Sequence, residues 1–135
     1  AVAMQTYQAY CALLASPRWQ KLAAAGASAQ RVLWASTGTK DPRASDTLYV
    51  DHLIAPLSVN TMPEKTLLAA LDHGTFDAPM ATTGDAHERE LQRFAALGLA
   101  VEPLGQTLQQ EGAAAFVASW NSLLQSIAQH MGKAS

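Results

Sequence analysis

The sequence predicts an α/β fold built on parallel strands, followed by a purely helical segment. Three observations carry that reading. From Gln30 to Gly74 the pattern runs strand, loop, helix, strand, helix, the alternation of parallel α/β architecture. The first strand candidate is a short apolar run, the form taken by covered parallel strands that lose their polar alternation. From Ala86 onward only helical periodicity is found. A chain of 135 residues, 49% hydrophobic and 15% charged, fits one domain or part of one.

The elements follow in order. Ala1 to Ala15 places Val2, Met4, Tyr7, Tyr10, Cys11 and Leu14 at three- and four-residue spacings, which predicts a helix. Ser16-Pro17 reads as an N-cap with proline at the first helical position. It opens a second helix with Trp19, Leu22 and Ala23 as its buried stripe and Gly26 as its end. Arg31 to Ser36 is the first strand candidate, and Thr37 to Pro42 a polar loop. Ser45 or Asp46 is placed to cap a helix carrying Leu48, Tyr49, His52 and Leu53 on one side, stopped before Pro56. Ser58 to Met62 is the weaker second strand. Pro63 starts a helix with Leu67, Leu68, Ala70 and Leu71 apolar, closed by His73-Gly74. After a loop with Pro79 and Gly84, Ala86 to Leu97 is helical and Gly98 caps it. Pro103 to Glu111 reads as one short helix. From Ala113, the positions Phe116, Val117, Trp120, Leu123, Leu124, Ile127 and Met131 give a strong helix signal.

Composition narrows the function classes. Nine basic residues against eleven acidic, a net charge of −2 and no basic run argue against nucleic acid as partner. Apolar runs are too short to span a bilayer, so no membrane role is expected. A single cysteine, Cys11, excludes an intrachain disulfide and fits a reducing, cytoplasmic setting. Ala-Val-Ala-Met-Gln lacks the charged start of a signal peptide and reads like the middle of a helix, so a piece of a longer chain is expected. Two parallel strands cannot bury both faces of a sheet, and a (β/α)8 barrel needs about 250 residues, rarely fewer than about 200. If the strands belong to such a barrel, at least its first half lies outside this sequence.

The most pointed chemical feature is Leu33-Trp34-Ala35-Ser36-Thr37-Gly38-Thr39-Lys40-Asp41-Pro42. A strand there delivers hydroxyls, a glycine and a lysine to its C-terminal end, the edge where α/β folds bind ligands. Hydroxyls and a glycine backbone bond phosphate oxygens, and lysine supplies a compact counter-charge. The competing reading is an ordinary glycine turn with an exposed lysine. The spacing is not that of a P-loop. A Schiff base at Lys40 is disfavoured, because Thr39, Asp41 and Pro42 give it wet flanks rather than a desolvated pocket. His52, His73, His87 and His130 share no metal-ligand spacing, and no metal site is expected. Asp51-His52 are adjacent on a helix and do not face each other. Asp85, Glu88 and Glu90 suit a solvated helix start, and Cys11 a small apolar core position.

Four blocks carry a resemblance. Gln30 to Pro42, Asp46 to Ile54, Val59-Asn60-Thr61-Met62-Pro63 and Asp72-His73-Gly74 look like consecutive blocks of the bacterial transaldolases, in particular the long subfamily with a helical C-terminal addition. Fused transaldolase–glucose-6-phosphate isomerase proteins carry a similar domain, so the parent is either. The resemblance implies a (β/α)8 TIM barrel in the pentose phosphate pathway. Such an enzyme moves a dihydroxyacetone unit from sedoheptulose 7-phosphate or fructose 6-phosphate to an aldose phosphate through a lysine Schiff base, without cofactor. It implies that residues 1–81 are the C-terminal part of the barrel, with strands 7 and 8 at Arg31 to Ser36 and Ser58 to Met62. Residues 82–135 then form a helical extension packing on the barrel. Ser36 matches the family's phosphate-site serine. Lys40 is the nearest cation, slightly later than the family's arginine, and Thr37, Asn60 and Thr61 line the site more weakly.

The family's Schiff-base lysine and acid–base carboxylates belong to earlier strands, so no catalytic residue is assigned here. Sugar phosphates and the upstream half of the same barrel are the expected partners, and the chain alone is expected to be inactive. Two other readings stand beside this one: a non-catalytic phosphosugar-binding or interaction module on the same segment, and a different lysine-dependent aldolase barrel.

Overall fold

A computed structural model describes residues 1–77, 79–81 and 84–131. It divides into two compact units, Ala1–Glu88 and Arg89–Ser135, taken separately below. The junction expected at 81/82 involves Thr82, which lies outside the described residues, as do positions 132–135 of the expected helical extension.

The first unit begins with α1 (Val2–Ala15) and α2 (Pro17–Ala24). Ser16 joins them as expected: its hydroxyl accepts the Trp19 amide at 3.3 Å, with Pro17 at the first helical position. Beyond α2, Gly26 sits at φ +93° while its amide reaches the Ala23 carbonyl and that of Ala27 reaches Leu22. That paired closure of the last turn needs a left-handed residue, which glycine supplies without steric cost. The stripe expected on α2 is not buried: Leu22 is exposed, and Trp19 and Ala23 are half-covered.

Strands β1 (Val32–Trp34) and β2 (Ser58–Asn60) form a two-stranded parallel sheet, with Val32 opposite Ser58, Leu33 opposite Val59 and Trp34 opposite Asn60. Both are shorter than the expected 31–36 and 58–62, although the ladder continues through Val32 N–H to Leu57 O and Thr61 N–H to Trp34 O. The two-residue side-chain period assigns their faces. Val32 and Trp34 turn toward a small core with Tyr7 and Met80, flanked by Met4, Tyr10, Cys11, Leu53 and Ala55. Leu33, on the opposite face, is 57% exposed. The expectation of a fully covered strand is therefore corrected: one face is covered by α1, and no described element covers the other.

Between the strands runs α3 (Leu48–His52), and after them α4 (Glu64–His73). On both helices the buried positions differ in part from the apolar ones named from the sequence. Val50 is the buried residue of α3, while Tyr49 is exposed. On α4 the inward residues are Thr66 and Ala70, and Leu67, Leu68 and Leu71 face outward, Leu71 at 83% exposure. Gly38 packs closely on the start of α4: a Cβ there would lie 3.2 Å from Pro63 Cγ and 3.4 Å from Thr66 Oγ1. Tyr7 anchors α1 to the segment before β2 by donating from its hydroxyl to the Pro56 carbonyl at 3.0 Å.

Helix α5 (Ala86–Ala96) crosses the division between the units. Its end repeats the closure of α2, with Gly98 at φ +81° and Leu99 N–H bonded to Phe94 O. Helix α6 runs unbroken over Val101–Met131. The two helices expected at 103–111 and from 113 are thus one, about 46 Å long at 1.5 Å per residue. Pro103 falls in the first turn, where proline is tolerated. An interior glycine such as Gly112 costs about 1 kcal/mol against alanine, too little to stop a helix rich in alanine and glutamine. No side chain of α6 is buried; Phe116 is 83% exposed. Among the described residues, no helix is long and apolar enough to cross a membrane.

Candidate functional site

The parallel pairing sets the C-terminal ends of β1 and β2 side by side, so the loops after the two strands share one edge of the sheet. Thr37, only 2% exposed, ties those loops together. Its Oγ1 lies 2.7 Å from Asn60 Oδ1 and 3.0 Å from the Thr61 carbonyl oxygen. With one proton, the hydroxyl donates to one of them at a time. Thr61 returns the link, its hydroxyl and its amide both donating to the Trp34 carbonyl.

Beyond this tie the chain turns sharply at Ser36, whose φ of +58° lies in the left-handed region that non-glycine residues seldom adopt. The turn aims the Ser36-to-Lys40 segment into a cleft of about 450 Å³ lined by Ser36, Gly38, Thr39, Lys40, Asp41, Ala44, Leu48 and Tyr49. A neighbouring cleft of about 450 Å³ shares Thr39, Lys40 and Asp41 and adds Ser45, Asp46 and Lys65. Thr39 Oγ1 is buried without a hydrogen-bond partner among the described residues. Such a hydroxyl is costly to leave unsatisfied.

The charges around these clefts are paired unevenly. Asp41 takes the Arg43 backbone amide at 2.9 Å and two guanidinium bonds at 3.1 and 3.0 Å. Those bonds hold the Asp41 carboxyl below the usual range. Asp46 accepts from His73 Nε2 at 2.9 Å, and that bond likewise lowers its pKa. The imidazole is raised in turn, first by Asp46 and then by Asp72, whose Oδ2 lies 3.1 Å from Nδ1. Asp51 serves structure: Thr47 Oγ1 donates to it at 2.6 Å and the Thr75 amide at 3.0 Å. Lys40 and Lys65 make no ion pair among the described residues. Both carboxylates on the clefts thus have their own partner, Arg43 for Asp41 and the His73 imidazole for Asp46, and Lys40 and Lys65 are left lining the space. The arrangement suits an anion with several acceptor oxygens.

Among the expected site residues, Ser36 and Lys40 line one cleft, whereas Thr37, Asn60 and Thr61 meet behind it as the tie between strand ends. The expected capping of α3 is corrected. Ser45 Oγ accepts the Thr47 amide at 3.2 Å, Thr47 itself stands at the N-cap with its hydroxyl on Asp51 rather than on a backbone amide, and Asp46 turns to His73. Sequence reasoning missed Thr39, Lys65 and the Asp46–His73 pair. Asp46 and His73 are 27 positions apart, and no local spacing brings them together. Thr39 was within reach as one of the hydroxyls beside Lys40.

Comparison with known proteins gives this edge its context. The family model described as transaldolase/fructose-6-phosphate aldolase matches residues 1–127. The chain belongs to that family. Among its relatives, a protein named transaldolase from Frankia alni is 48% identical over 130 residues, covering 94% of this chain and 34% of its own length. A transaldolase from a Parafrankia species is 46% identical over 129 residues, 95% of this chain and 35% of the relative. A third, from an Arthrobacter species, is 50% identical over 119 residues, 87% and 32% respectively. The chain spans about a third of the length of these curated relatives. Transaldolase membership implies a TIM barrel, and a mostly helical chain with a small parallel sheet is what a portion of such a barrel contains.

Proposed function

We propose that this chain is the C-terminal portion of a cytoplasmic transaldolase, supplying the seventh and eighth barrel strands as β1 and β2, and a helical extension from residue 82 that packs on the barrel. In the whole enzyme a dihydroxyacetone unit passes from a ketose phosphate to an aldose phosphate through a Schiff base on a lysine upstream of this chain. The role left to these residues is recognition of the substrate phosphate. Ser36 and Lys40 make that contact, with Thr37, Asn60 and Thr61 fixing the strand ends beneath it.

The observation that carries the reading is the cleft at the C-terminal end of β1, where Ser36 and Lys40 sit beside the end of a second parallel strand. Barrels commonly hold substrate phosphate in the loops after their last two strands. The two lysines lining the clefts, with both carboxylates already partnered, support an anionic occupant.

Amide hydrogen exchange on the full-length polypeptide tests the assignment. Fructose 6-phosphate should slow exchange across residues 36–40, and unphosphorylated dihydroxyacetone should not. Equal protection by both compounds, or protection only outside this segment, would exclude the phosphate role.

A further inference from the structure

We infer that His73 is a positioning residue for phosphate binding, acting by neutralising Asp46 at the rim of the Lys40–Lys65 cleft. The inference rests on the reading of that cleft as the phosphate end of a sugar-phosphate site.

A carboxylate on an anion site is a liability. Asp46 lines the same cleft as Lys40 and Lys65, and a bare negative charge there would repel phosphate and draw on the field of both lysines. Lys65 already acts on Asp46 through space. The other carboxylate of the cleft, Asp41, has a permanent partner in Arg43. Asp46 instead has an imidazole, 2.9 Å away, whose charge depends on pH.

Of the titratable groups facing His73 among the described residues, Asp46 comes from the loop before α3 and Asp72 from its own helix, at 3.1 Å. Asp51, the remaining carboxylate between α3 and α4, is taken up by Thr47 and Thr75. Both contacts of His73 favour its charged form, and its pKa is raised. Below that pKa the cleft presents two lysines and a neutralised Asp46. Above it, Asp46 stands as a net negative charge beside the ligand, and phosphate affinity falls. The groups are half-exposed, so solvent and salt weaken the effect without abolishing it.

The test is the Michaelis constant of the full-length enzyme for fructose 6-phosphate between about pH 5.5 and 8.5, taken as the ratio of variant to wild type. The ratio cancels the titration of the substrate phosphate and of the catalytic groups. For His73→Gln it should be about three to five at the acid end of the range, where the wild-type imidazole is charged, and fall toward one as the pH rises through the raised pKa of His73. The contrast should shrink at high ionic strength. Asp46→Asn should remove the dependence and bind at least as tightly as wild type at high pH. The double variant D46N/H73Q should be flat across the range. A His73→Gln ratio that does not change with pH would mean that His73 only braces α3 against α4, and the inference would fall alone. If Lys40→Ala leaves the preference for phosphorylated over unphosphorylated donor unchanged, the phosphate reading falls first and takes the inference with it.

Discussion

Replacing Lys40 by alanine in the full-length enzyme isolates the electrostatic part of phosphate recognition. The Lys40 side chain borders both clefts, so its ammonium is the cation common to them. At about 4 Å and an effective dielectric of about 20, a pair of unit charges gains about 4 kcal/mol in gross terms. Desolvation and side-chain ordering reduce this to a net of about 1.5–3 kcal/mol for a charge-assisted contact. Lys65 remains in the second cleft and supplies part of the field after the change. The Michaelis constant for fructose 6-phosphate should therefore rise about ten- to a hundredfold. Turnover should fall less, because the phosphate is held alike in ground and transition states. Lys40→Arg should keep part of the affinity. Ser36→Ala should cost less than Lys40→Ala, since a neutral hydroxyl is the weaker donor. Steady-state kinetics with fructose 6-phosphate and with unphosphorylated dihydroxyacetone separate these effects. Lost turnover with intact phosphosugar affinity would refute the reasoning and reopen a covalent role for Lys40.

Other expectations follow from the packing. Tyr7→Phe removes the donor to the Pro56 carbonyl and should cost about 1 kcal/mol in thermal unfolding of the full-length protein. Burial raises the Tyr7 pKa above its ordinary value of 10.0, so the stability this phenol contributes is whole below about pH 10 and is lost as the pH climbs through the raised value. An alkaline unfolding series of wild type against Tyr7→Phe reads that loss. Gly38→Ala would press a methyl to 3.2 Å from Pro63; a shifted loop should raise the Michaelis constant for fructose 6-phosphate with little change for dihydroxyacetone. The isolated 135-residue chain, with Leu33, Leu71 and Phe116 open to water, should elute as associated species and bind a hydrophobic dye; a sharp cooperative melt from a monomer would contradict this.

Much of the fold was legible wherever a residue's local chemistry decides its conformation. Ser16-Pro17 and Gly98 marked helix ends because capping and left-handed closure are properties of two or three adjacent residues. The parallel pair was legible from alternation along the chain. Burial was not. Leu67, Leu68 and Leu71 stand out as apolar in the sequence, yet they are exposed, while Thr66 and Ala70 are the buried positions of α4. The joining of α6 was missed because Gly112 reads as punctuation but costs little inside a long helix. In the cleft, the placing of Ser36 and Lys40 together was legible from their adjacency to a strand end. Lys65 and His73 were not, since each reaches the loop from α4 only once the chain has folded.

The central claim is that this chain holds the phosphate while another part of the enzyme holds the carbon chain. Borohydride reduction of the full-length enzyme with fructose 6-phosphate, followed by peptide mass mapping, tests it most directly. The account predicts a single trapped lysine outside residues 1–135 and an unmodified Lys40. A trapped adduct on Lys40 would contradict it.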